Sequence, residues 1–112
     1  MQGEVNERDW KLFRSRLPGW QEAYMEKLIR EYAAMLDDDQ PASEKFWALE
    51  KRIKQDRKHP GVLLTDVRRS TMYMHLLSLL LNGVITAEDL EGFSGELRSQ
   101  LADSQEFFER KV

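Results

Sequence analysis

The chain has 112 residues, of which 41% are apolar and 33% charged, with a net charge of −3. That is enough apolar material for one hydrophobic core and too much for a disordered chain, so a single domain over residues 1–112 is expected. Six glycines and three prolines leave little room for the many tight turns of a β-sandwich, and the absence of cysteine excludes a disulfide framework, a thiolate zinc site and a cysteine nucleophile.

Hydrophobic period reads as helix nearly everywhere. A first segment runs from about Asn6, a suitable N-cap, to Arg16, with Trp10, Phe13 and Leu17 on one face. Pro18-Gly19 then predicts a break. A second helix runs from about Trp20 to Leu36, where Trp20, Tyr24, Leu28, Tyr32 and Leu36 recur every four residues. Met25, Ile29 and Met35 widen that stripe to about half the circumference, more than one partner needs, so two neighbours are expected. Asp37 and Asp39 invite comparison with a calcium loop. That loop requires Gly at its sixth position and Glu at its twelfth, and Ala42 and Ala48 stand there. The three aspartates are instead expected to cap the next helix, whose N-terminus favours negative charge.

The third helix starts near Pro41 and ends before His59-Pro60-Gly61, with Ala42, Phe46, Leu49 and Ile53 as its core stripe. Trp47 lies off the stripe, with Lys51, Lys54 and Lys58 close to it on the helical wheel. An aromatic ring among three lysines has the make-up to stack a base and hold phosphates; equally, Trp47 leans over the core edge while the lysines stay solvated. The fourth helix begins near Thr65 or Ser70 and ends at Asn82, with Gly83 as a left-handed C-cap residue. It is apolar over most of its perimeter, which marks a central helix at about 66–82. His75 lies on its narrow polar stripe, either bonded to neighbours at the rim or handling a proton in a groove. The fifth helix opens on a capping box, Thr86-Ala87-Glu88-Asp89, and carries Leu90, Phe93, Leu97, Leu101 and Phe108 on one stripe. Gly92 and Gly95 within it either weaken the helix or admit another backbone. From about Asp103 the tail, 103–112, is loosely ordered or docked through Phe107 and Phe108.

The expected fold is therefore all-α, a single small bundle-like domain of four to five helices. The longest apolar run, Met72 to Leu81, is about half the ~20 residues a spanning helix needs. Met1 to Glu7 has neither a basic start nor an apolar stretch, so no secretory signal is expected there. A soluble, cytoplasmic protein without a membrane partner is expected.

No Gly-rich phosphate loop, His-Glu-x-x-His helix or serine elbow occurs, and two histidines do not make a His-rich metal site. No enzyme activity, cofactor or metal is expected. Charge is uneven: residues 45–69 hold eight bases and three acids, while both flanks are net acidic. A nucleic-acid or phosphate face would use Trp47, Lys51, Lys54, Lys58, Arg68 and Arg69. The helix-turn-helix proportions of residues 79–97 do not suit DNA, because the reading helix would carry Glu88, Asp89, Glu91 and Glu96 toward phosphates.

Glu7-Arg8-Asp9-Trp10, Leu17-Pro18-Gly19-Trp20-Gln21 and Lys58-His59-Pro60-Gly61-Val62 resemble a set of short, uncharacterised bacterial proteins. Some of these carry an automatic "multidrug transporter" label. The likeness covers most of the chain and its motifs carry no known chemistry, so it implies no site residue; the label conflicts with the absence of a spanning run. Eleven aromatic residues in so small a chain (three Trp, three Tyr, five Phe) point to a protein-interaction module, as a homo-oligomer such as a homodimer or with another protein. Nucleic-acid binding through 45–69 is the alternative, and a small-molecule sensor with a pocket beside the fourth helix is the third.

Overall fold

In the computed structural model, which describes residues 5–110, the chain forms four α-helices and no strand among the described residues. They are α1 (Glu7–Leu36), α2 (Ala42–Asp56), α3 (Met72–Leu81) and α4 (Gly95–Arg110), with 3-10 turns at Arg69–Thr71 and Ala87–Leu90. The expectations about a leader at residues 1–4 and about the last two residues of the tail lie outside the described residues.

α1 starts where the sequence places it: the Asn6 side chain accepts hydrogen bonds from the Arg8 and Asp9 amides. It does not stop at Pro18. One 30-residue helix replaces the two expected. Proline removes a backbone donor and crowds the carbonyl four residues back, at a cost of about 3 kcal/mol in a helix interior. Here Pro18 and Gly19 lie on the exposed side, so water remains available to the carbonyl that loses its partner. On the covered side, Trp10, Phe13, Leu17 and Trp20 continue the 3-4-3 spacing straight across the proline. Phe13 is fully buried, with its ring centroid 6.4 Å from that of Trp20, which in turn stacks 6.3 Å from Phe93. Tertiary burial on both sides of the proline outweighs its local cost.

The core lies between the first half of α1, α3, α4 and the 87–90 turn. α3 is its centre, contributing Met72, Leu76, Leu79 and Leu80. It ends at Asn82, and Gly83 follows with φ +74°, the left-handed residue expected after the last turn. The expected fifth helix is divided. Thr86 and Asp89 form their capping box, but the turn they start ends at Leu90. Gly92 then takes φ +98°, where a side chain would be strained and would also meet the Arg16 guanidinium. Arg16 donates from Nη1 to the carbonyls of Asp89 (3.0 Å) and Glu91 (2.6 Å), holding this corner on α1.

Ser94 immediately precedes α4, and its Oγ accepts from the Leu97 amide. Asp9, 2% exposed, locks that start to α1: its Oδ1 accepts from the Ser94 amide (2.8 Å) and its Oδ2 from the Ser94 hydroxyl (2.6 Å). A carboxylate here is favoured by the exposed amides of the α4 N-terminus. The tail is helical to Arg110, tied down where the Tyr73 hydroxyl donates to the Gln100 carbonyl and contacts Ser104; Phe107 and Phe108 remain exposed.

Beyond Trp20, α1 leaves this core and pairs with α2 as an antiparallel arm. The chain is 58 × 31 × 23 Å with a radius of gyration of 17.0 Å, against about 13 Å for a compact domain of this length. Leu76→Ala, at the fully buried centre of the core, is expected to lower unfolding free energy by about 2–5 kcal/mol, measured by urea denaturation; an unchanged midpoint would place the core elsewhere.

Candidate functional site: the α1–α2 arm

The arm is joined along its length by side-chain pairs in antiparallel register. Lys45 donates to the Leu36 carbonyl, Arg52 binds Glu31, and the Tyr32 hydroxyl donates to Asp56 Oδ2 at 2.6 Å. Arg52 also bonds Asp56 within α2 at 2.9 Å. At the base, Tyr24 stacks on His59 with ring centroids 4.5 Å apart, and Gln21 donates to the Pro60 carbonyl. Gly61 lies under the same tyrosine, and a Cβ there would overlap its ring. The three aspartates do not cap α2. Its N-cap is Pro41, which makes no side-chain bond, and Asp38 accepts from the Gln40 amide instead.

From Trp20 on, burial in the arm's two helices is confined to Leu28 of α1, 4% exposed. α2 has no buried residue, and of its expected core stripe only Leu49 is half-buried. Phe46 is 61% exposed, and Ile53 and Ala42 are exposed as well. The reason is rotational. Lys45, Arg52 and Asp56 are the α2 residues that meet α1, and Phe46 and Ile53 lie about a quarter-turn further round. On α1, Glu31, Tyr32 and Met35 meet α2, and Ile29 and Leu36 again lie about a quarter-turn further round. In antiparallel helices these two rotations point to the same side of the pair. The arm therefore has one apolar face, built from Met25, Ile29, Leu36, Phe46, Leu49 and Ile53, and one polar face. Ile29, like Phe46, is 61% exposed. Of the two neighbours expected for this part of α1, the chain itself provides one.

The six residues of the nucleic-acid alternative are not brought to one place. Trp47, 63% exposed and packed edge-on against Phe46, shares the outer edge of α2 with Lys51 and Lys54. Lys54 pairs with Glu50 at 3.3 Å. Lys58 lines a hollow of about 560 Å³ with Leu63, Met74 and His75. Arg68 pairs with Asp66, and Arg69 with Glu7 at the start of α1. Glu7 and the arm's tip at Leu36 are 29 residues apart on one helix, about 43 Å at 1.5 Å per residue. His75 sits in the wall of the hollow with Nε2 3.2 Å from the Asp66 carbonyl oxygen. A second hollow, about 800 Å³, opens on the other side of α3 and is lined in part by Asp9, Arg69, Tyr73 and Gln100. No group of three or more metal-ligating side chains occurs among the described residues. No described helix is long and apolar enough to cross a membrane.

Phe46 and Ile53 have the spacing of a buried stripe, and the structure leaves both exposed. A signal of the open face was nevertheless there, in the half-circumference apolar surface of residues 20–36. No family model matches the chain, and neither the curated proteins nor the solved structures contain a significant match.

The arm's polar pairing has a spectroscopic signature. Burial, followed by the hydrogen bond to Asp56 and its negative charge, pushes the Tyr32 phenol up to about 12. Burial and the charges of Asp56 and Glu31 raise Tyr24 as well. An unfolded phenol titrates near 10, so this contribution to stability is complete below about pH 10 and lost as pH rises through about 12. In an ultraviolet absorbance titration, Tyr32→Phe should remove a phenolate step near the upper value. Loss of a step near 10 would contradict the pairing with Asp56.

Proposed function

We propose that the chain is a non-enzymatic, cytoplasmic protein-interaction module that self-associates through the apolar face of the α1–α2 arm. One observation carries this: α2 is a 15-residue helix with no buried residue, beside an α1 whose Ile29 and Leu36 face the same way and are exposed as well. Helices of this length draw most of their stability from burying an apolar face against a second layer. Exposed apolar surface of this extent usually marks an interface. A second copy brings a face of the same shape and composition, and two antiparallel pairs stacked face to face make a four-helix bundle. Covering a half-exposed side chain of this size stabilises by about 1 kcal/mol. Set against the cost of association, that suits a dimer in the micromolar range.

The nucleic-acid alternative has the Trp47 edge of α2 in its favour, but Glu50 shares that edge and Arg68 and Arg69 lie elsewhere. The sensor alternative has the two open hollows beside α3. Neither accounts for the open apolar face.

Light scattering across the micromolar range should show the mass rise from 13.2 kDa toward twice that value. Ile29→Asp with Phe46→Asp should hold the protein at the monomer mass. Because both positions are exposed, the monomer's stability should change by no more than about 0.5 kcal/mol per site. A wild-type chain that remains monomeric throughout, or a double variant that associates as well as wild type, would overturn the proposal.

A further inference from the structure

The two long edges of the arm differ in charge. The outer half of α1 with its following turn, residues 20–40, has six acids and two bases, a net −4; α2 with its following turn, residues 42–58, has six bases and three acids, a net +3. The outer edges keep these signs, with a smaller imbalance. Glu22, Glu26 and Asp37 are on the side of α1 away from α2, with Arg30 among them, and Lys51, Lys54 and Arg57 are on the side of α2 away from α1, with Glu50 among them. The Lys54–Glu50 pair is well exposed, and pairs of that kind contribute little, so Lys54 is free to re-pair.

Two stacked arms can be related by two kinds of two-fold axis. An axis across the arms puts α1 on α1 and α2 on α2, meeting acidic edge with acidic and basic with basic. An axis along the arms puts each α1 on the partner's α2, antiparallel, and joins unlike edges. Resting on the self-association proposed above, we infer that the partner is a second copy docked about an axis along the arm. Both tips then lie at one end, and with Glu31 level with Arg52 and Tyr24 with His59, Glu26 comes beside the partner's Lys54 and Arg57, with Glu22 about one turn nearer the base. Like charges juxtaposed at the rim oppose the other arrangement. The chosen one also gathers Asp37, Asp38 and Asp39 of both copies at the shared tip, an exposed repulsion that works against it and that salt screens together with the rim pairs. Both arrangements cover the same apolar side chains, so charge is what selects between them.

The test combines charge reversal with cross-linking. Glu22→Lys with Glu26→Lys should weaken the dimer by about tenfold at low salt, and adding Lys54→Glu with Arg57→Glu in the same chain should restore it. The chain has no native cysteine, so Asp38→Cys places one thiol at each tip; mild oxidation should then give a disulfide within the dimer without a change in mass. Suppose the wild type dimerises but reversal does not weaken it, or Asp38→Cys fails to link while a mixture with Lys58→Cys links tip to base. The axis assignment is then wrong and self-association stands. A wild type monomeric at every concentration removes both.

Discussion

Everything distinctive about this chain depends on α1 staying one helix through Pro18. Its first half is a core helix and its second half an arm helix. Because they are continuous, the position of the core fixes the direction of the arm. A break at Pro18-Gly19 would have let residues 20–56 fold back and bury Ile29, Phe46 and Ile53 against α3 or α4. Phe13, Leu17 and Trp20 prevent this by packing on both sides of the proline. Arg16, one turn away, adds two carbonyl contacts that fix the 87–92 corner to the same helix. The cost of an interior proline is small beside the burial that the continuous stripe makes possible.

The core and the arm are held by different physics. In the core the dominant contribution is apolar burial, sharpened by one buried polar lock in which Asp9 joins α1 to the start of α4. Such a lock gives α4 a single register, because a shift would leave a buried carboxylate unpaired. In the arm the connections are mainly polar and partly solvated: Arg52 with Glu31 and Asp56, Tyr32 with Asp56, Tyr24 on His59. These contacts align α1 and α2 without giving α2 a buried residue. The arm is thus aligned by polar contacts and left with an apolar face uncovered.

Local signals in the sequence are legible where they concern a single turn. Asn6 as a cap, Gly83 past the end of α3, and the Thr86–Asp89 box all depend on a few neighbouring residues and appear as expected. Leu90, Phe93, Leu97 and Leu101 are buried as their spacing predicts, although Gly92 divides them between a turn and a helix. Features decided by tertiary contacts were not legible. Pro18 reads as a break until the continuity of Trp10, Phe13, Leu17 and Trp20 is weighed against it. The arm's open face was hidden for a related reason: spacing shows that Phe46 and Ile53 share a side of α2, but not that α1 sits a quarter-turn away from that side. The six basic-segment residues were grouped by nearness in sequence, and the 57–68 connector carries Arg68 and Arg69 away from Trp47 to the other end of the molecule.

The central claim is that the arm is left open within one chain and covered by another. Amide hydrogen exchange followed as a function of protein concentration addresses it directly, since exchange reports local opening element by element. Protection of α2 and of the outer half of α1 should rise with concentration, while that of α3 and α4 should not. Protection in α2 that is independent of concentration would contradict it, because the arm would then be complete without a partner.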